Sequence, residues 1–138
     1  MSAPIAEDMP VSESIARITF IAAGGAIGSV LRYVLGGVVQ QSVVLFPIGT
    51  LAVNVAGCLA IGVLAELFTE SSLDPLYRTA VLVGVLGGFT TFSTFSLDTL
   101  KLAENRQYGL AAMNVALSLC ACLAATFVGQ RLGKWWTL

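Results

Sequence analysis

Histidine is absent from this sequence. That removes the commonest metal-binding side chain and the usual proton carrier near neutral pH, so a hydrolytic triad or a conventional zinc site lacks its main participant. Charge is scarce too: seven basic and eight acidic residues among 138 make 11% of the chain, against about 25% in an ordinary soluble domain. With 57% hydrophobic residues, the composition does not fit a monomeric soluble globule. A net charge of -1 without a basic run offers nothing to nucleic acid, whose binding depends on Lys and Arg set against phosphates. Cysteine is limited to Cys58, Cys120 and Cys122, all in apolar segments. Cys120 and Cys122, two residues apart, leave a helix in different directions, and all three read as small packing residues, not as a disulfide or metal site.

What is present is a series of long apolar runs. Residues 1–16 hold Pro4, Glu7, Asp8, Pro10 and Glu13 without the basic start and apolar centre of a secretory signal, and are expected to form a polar N-terminal tail. From Ile18 to Val39 the only charge is Arg32. About 20 such residues in a helix cross the hydrocarbon core of a bilayer, so this is a first membrane span. A second runs from Ile48 to Ala65 after the link Gln40 to Pro47. Asp74, followed by Pro75, is suited to cap a third helix with proline at its first position, and Thr79 to Leu97 carries no charge. A fourth runs from Gly109 to Gly129, with Arg131, Lys134, Trp135 and Trp136 behind it; paired tryptophans suit a membrane interface. The expected architecture is an all-α membrane protein with four transmembrane helices. Residues 17–134 form the single membrane domain and 135–138 an interfacial C-terminal end.

Four spans put both ends of the chain on one side of the bilayer, together with Arg17, Arg78, Arg131 and Lys134. Lys101 and Arg106 fall on the other side, joined by Arg32 if it reaches that far. The positive-inside rule acts on this difference, which is only one or two charges. Insertion in both orientations is therefore expected. No internal repeat supplies two-fold symmetry within one chain, but two copies in opposite orientations can supply it.

The third span contains the most informative stretch, Gly87-Gly88-Phe89-Thr90-Thr91-Phe92-Ser93-Thr94-Phe95-Ser96. Two adjacent glycines and five hydroxyl residues are poor material for a straight lipid-facing helix, and a break is expected at Gly87-Gly88. Irregular backbone survives in a bilayer only when buried in protein or lining a cavity. Carbonyls freed at the break in two copies can hold a cation; alternatively the glycines make a kink for close helix packing. Phe92 and Phe95 share a helical face, and their positive ring edges suit a dehydrated anion that must bind yet leave, or else the rings face lipid.

Asn54 lies within the second span, where its two N–H donors serve an anion or bond to a neighbouring helix; Thr50 is one turn earlier on the same face. Asn114, Ser118, Cys122 and Thr126 recur every four residues and form a polar stripe that lines a wet path or knits helices together. Arg32 either snorkels to the interface or draws anions into a vestibule. Acidic residues keep away from span centres, with Glu66, Asp98 and Glu104 all near ends. This separates the chain from the alternative class, small proton-coupled multidrug or cation exporters of the four-helix dual-topology type. Those need a carboxylate in the first span, where this chain has Arg32. A purely structural helix-packing protein is a third possibility.

Taken together, the Gly87 to Ser96 run, Gly49-Thr50-Leu51-Ala52-Val53-Asn54 and Gly28-Ser29-Val30-Leu31-Arg32-Tyr33 resemble the Fluc/CrcB family of fluoride channels, in order and spacing, over residues 18 to 132. The first of these runs is the most specific. The resemblance implies no enzymatic activity but a passive fluoride channel of a bacterial plasma membrane, lowering fluoride toxicity by export. It implies an antiparallel dual-topology homodimer with a broken third helix and two pores along the subunit boundary. It further implies that Phe92 and Phe95 contact fluoride, with Asn54 as the pore amide and Arg32 as the first-helix arginine. Ser118 and Thr126 match the polar track of the last helix. Cys122 stands in that track where a hydroxyl residue is more usual, and a thiol is the weaker donor. The carbonyls of Gly87 and Thr90 match the ligands of a central structural sodium ion. Asp98, where relatives often have Glu, is assigned no role.

Overall fold

The structure, a computed structural model, describes residues 10–43, 45–69 and 72–137. Residues 1–9 of the expected polar tail, Val44 of the link between the first two spans, Glu70 and Ser71 before the third, and Leu138 of the expected C-terminal end lie outside the described residues. The elements among the described residues are all helical: α1 (Val11–Gln40), α2 (Ile48–Thr69), α3 (Pro75–Thr79), a π-helical stretch (Ala80–Val85), α4 (Leu86–Phe89), α5 (Phe92–Glu104) and α6 (Tyr108–Trp136). With the third span taken as Pro75–Glu104, four helical segments of 22 to 30 residues are long and apolar enough to cross a membrane. That accounts for the four apolar runs.

The helices outlast those runs. α1 begins at Val11, inside the stretch expected to be tail, because Pro10 precedes it and Glu13 places an acidic group in its first turn, where the helix dipole favours negative charge. Polarity in residues 11–16 therefore marks a helix projecting past the hydrocarbon, not a coil. At the third span the expected cap is present: Asp74 accepts a hydrogen bond from the Leu76 amide at 2.8 Å, with Pro75 at the first helical position. The α5–α6 turn closes through the Gln107 amide on the Leu102 carbonyl at 2.9 Å, with Arg106 in the left-handed region at φ 59°. This is the hydrogen bonding that ends helices at a glycine, here taken by an arginine.

Small residues decide how closely the helices approach. Without a hydrophobic driving force in lipid, association rests on packing contact, and here it is backbone against backbone. A methyl group on Gly28 would overlap the Val85 carbonyl, and one on Gly24 would lie 2.6 Å from the Ala80 carbonyl oxygen; α1 thus lies directly on the π-helical stretch. On the other side, a methyl on Gly62 of α2 would lie 3.1 Å from Gly129 Cα of α6, and one on Gly133 would lie 2.8 Å from Glu66 Cβ. Residue numbers rise together along this contact, so α2 and α6 run parallel. Large apolar side chains such as Val30, Val83, Leu119, Leu123 and Phe127 point outward, towards lipid or another chain.

The irregular point of the third span is not where the glycines suggest. Gly87 and Gly88 are both helical, within α4, and the extended residues are Thr90 (φ -82°, ψ 156°) and Thr91 (φ -150°, ψ 113°). Gly88 serves contact instead: a methyl there would meet the Gly25 carbonyl oxygen at 2.5 Å, whereas one on Gly87 would meet nothing within 4 Å. One glycine packs and the other faces open space.

Candidate ion conduit

The extended pair is held by a side chain from another helix. Asn54 of α2 accepts from the Thr91 amide through Oδ1 at 2.8 Å and donates through Nδ2 to the Thr91 carbonyl at 3.0 Å. One side-chain amide thus satisfies both polar groups of a residue withdrawn from helical pairing, as backbone at membrane depth requires. An amide nitrogen carries two protons, so this arrangement commits one and leaves the other.

Two carbonyls lose their regular partners in consequence. In a continuous helix the Thr91 amide would bond to the Gly87 carbonyl and the Thr94 amide to the Thr90 carbonyl. The first donates to Asn54 instead, and the second donates to Thr91 Oγ1 at 3.1 Å, capping α5. These are the two oxygens that the family resemblance assigns to sodium. The set is chemically apt, since neutral carbonyl oxygens are hard donors that suit hard cations. Among the described residues no cluster of three His, Cys, Asp or Glu offers a site for a softer metal.

Thr91, 7% exposed, stands between two cavities and lines both. The smaller, about 590 Å³, is bounded by Asn54, Cys58, Gly87, Thr90, Phe92, Phe95, Ser118, Cys122 and Thr126. It therefore gathers most of the residues singled out from the sequence. The Phe92 and Phe95 rings lie 5.3 Å apart between centroids, tilted 46°, and Phe92 is 79% exposed. Thr126 Oγ1 donates to the Cys122 carbonyl at 3.0 Å, so its proton is spent within its own helix.

The larger cavity, about 830 Å³, holds Arg32 and Thr50 and adds Ser29, Tyr33, Asp98 and Lys101. Thr50 and Asn54 share a face of α2 but serve opposite sides of Thr91. Thr50 Oγ1 donates to Asp98 Oδ2 at 2.8 Å, which gives Asp98 a partner that sequence reading had not supplied. The only warning in the sequence was a carboxylate placed just inside the polar end of a span. Gln40 was missed likewise: it donates to the Val43 and Phe46 carbonyls at 2.6 and 3.0 Å and accepts from the Gly49 amide at 3.0 Å, tying the α1–α2 link to the start of α2.

Asn114 stands apart. It is 2% exposed and donates to Thr99 Oγ1 at 2.8 Å, lining neither cavity. A four-residue repeat advances about 40° beyond a full turn at each step, so by Thr126 the stripe has rotated about 120° away from Asn114. Its first member faces α5, while Cys122 and Thr126 face α2.

A family profile described as CrcB-like protein, Camphor Resistance (CrcB), matches residues 19–130. The chain belongs to the CrcB family. Curated CrcB relatives agree in length as well as sequence. A protein named fluoride-specific ion channel FluC from Elusimicrobium minutum (strain Pei191) is 47% identical over 116 residues, covering 83% of this chain and 90% of that one. Proteins of the same name from Magnetococcus marinus and Sulfurovum sp. (strain NBC37-1) are 44% and 43% identical over 120 and 115 residues, covering 86% and 83% of this chain. The CrcB match takes in α2 and the third span whole, most of α1 and α6, both cavities and the extended threonines. A family of ion channels, not of enzymes, is what this chain joins.

Proposed function

We propose that this protein is a passive, fluoride-selective channel, working as an antiparallel homodimer with two conduits. The observation that carries the reading is the Asn54 amide fixed on extended Thr91, with a donor left over beside the Phe92 and Phe95 rings. The names of its relatives support the choice of ion.

Fluoride is small and strongly hydrated, so a path that admits it must replace several water hydrogen bonds with fixed donors. Asn54 offers an amide proton, Ser118 a hydroxyl, and the phenyl rings offer their positive edges. None carries a full charge, and weak multiple contacts permit release. The larger cavity acts as a vestibule in which Arg32 and Lys101, set against Asp98, favour anions. Thr50 holds the Asp98 carboxylate to one side of it. Neutral HF entering from an acidic medium loses its proton in the cytoplasm, so a passive anion path suffices for export. The setting is a bacterial plasma membrane, crossed four times by each chain.

Dimerisation follows from what one chain leaves open. Phe92 and the outward Gly87 belong to a half-walled cavity, and an inverted second copy would close it. The Gly87 and Thr90 carbonyls of both chains would then hold a structural sodium ion, which ties the two interrupted spans together. A density map of the dimer in sodium buffer is expected to contain an ion among these four oxygens. Absence of density there would remove the cation from the proposal.

The deciding experiment loads liposomes containing the purified protein with fluoride or with chloride and follows release with ion-selective electrodes. Rapid fluoride release without comparable chloride release is expected. No fluoride release from an assembled dimer would overturn the channel reading, and substrate-driven proton movement would replace it with the exporter.

A further inference from the structure

Sixty-four residues separate Cys58 from Cys122, and nothing local pairs them. The parallel contact of α2 with α6 does. Gly62 abuts the Thr126 carbonyl and Gly129, and Gly133 abuts Val63 and Glu66, so a residue on α2 faces ones 64 to 70 positions later on α6. One turn before Gly62 and Thr126, that register sets Cys58 opposite Cys122. Both are free thiols, and both line the smaller cavity. Cys120 is exposed elsewhere on α6.

We propose that Cys58 and Cys122 form a dithiol site for a soft divalent cation of linear coordination, the mercuric ion, and that its occupation obstructs the cavity. Soft sulfur ligands select soft metals, and two ligands satisfy a linear ion where zinc would demand four. No carboxylate lines this cavity, and the Thr126 hydroxyl is bonded to its own helix, so no oxygen donor of comparable strength competes. Two S–H bonds and the two bonds from mercury to its incoming ligands, chloride or a monothiolate, break as two S–Hg bonds form; the protons and the displaced ligands pass to water, with no change of oxidation state. The product is neutral, which matters where a net charge is costly to bury. Obstruction rests on the channel reading above, whereas binding does not.

The test uses pre-reduced full-length protein, mercuric chloride and an excess of glutathione as competing monothiol. Intact-mass measurement is expected to find one mercury retained per chain in the unsubstituted protein and in Cys120→Ser, and none in Cys58→Ser, Cys122→Ser or the smaller replacement Cys58→Ala. Retention by the Cys58 or Cys122 variants, or its loss in Cys120→Ser, would overturn the site. In liposomes, each protein is compared with its own fluoride release before mercury. Release is expected to stop in the unsubstituted protein and in Cys120→Ser, to return on adding a dithiol, and to continue in Cys58→Ala. Undiminished release with mercury bound would overturn obstruction. Absence of release in every preparation before mercury would count against the channel reading alone, and the mass measurement then decides the dithiol site.

Discussion

Asn54→Asp is expected to lower fluoride release from liposomes by roughly 100-fold. The carboxylate retains an acceptor for the Thr91 amide, now held by Asn54 Oδ1 at 2.8 Å. Its second oxygen, however, takes the place of a donor 3.0 Å from the Thr91 carbonyl. An acceptor then faces an acceptor, and the proton left over for an anion is gone. A charged carboxylate at the centre of a span costs about 2.5–3.5 kcal/mol, and about 1.4 kcal/mol is a factor of ten; here the charge also repels the permeating ion. The measurement is electrode-monitored efflux, with size-exclusion elution as the control for assembly. Efflux at the unsubstituted rate would take Asn54 off the conduction path.

The second large effect is expected at Phe92. Ile keeps apolar bulk but has no polarised edge, so Phe92→Ile removes what a ring does for an anion while leaving the side chain apolar. Because Phe92 is 79% exposed in the single chain, its replacement leaves the packing of the four spans intact. Fluoride release should fall by about two- to tenfold, since favourable ring geometry is worth on the order of 0.5–1.5 kcal/mol beyond area burial. Cross-linking of the reconstituted protein should still yield a dimer. Full-rate release from that dimer would assign the ring pair to packing.

Much of this fold was legible because a bilayer demands uninterrupted apolar runs, and four of them stood out between Ile18 and Gly129. The Asp74-Pro75 start of the third span was legible for a local reason: a cap and its first turn lie within three residues. Helix ends were read too short. Hydropathy marks where hydrocarbon ends, while a helix held by its own backbone bonds continues into the headgroups, as α1 does from Val11 and α6 does to Trp136. The irregular point was displaced by three residues because glycine both loosens helices and admits close neighbours, and composition does not separate these uses. What ends the helical pairing at Thr91 is Asn54, 37 positions away. No window along the chain contains both residues. Asn114 was drawn into the polar stripe by a period of four, which a helix of 3.6 residues per turn does not keep.

Thr91 also has an electrical meaning. In the proposed conduit it closes the inner end of a space of about 830 Å³, roomy enough for many waters at about 30 Å³ apiece. A water-filled mouth behaves as a low resistance in series, so a transmembrane voltage falls chiefly beyond Thr91, where fixed donors and ring edges replace water. Moving one charge through the whole voltage takes about 2.3 kcal/mol per 100 mV, and most of that work is done on the Asn54 side of Thr91. The effective insulator is then thinner than the lipid around it.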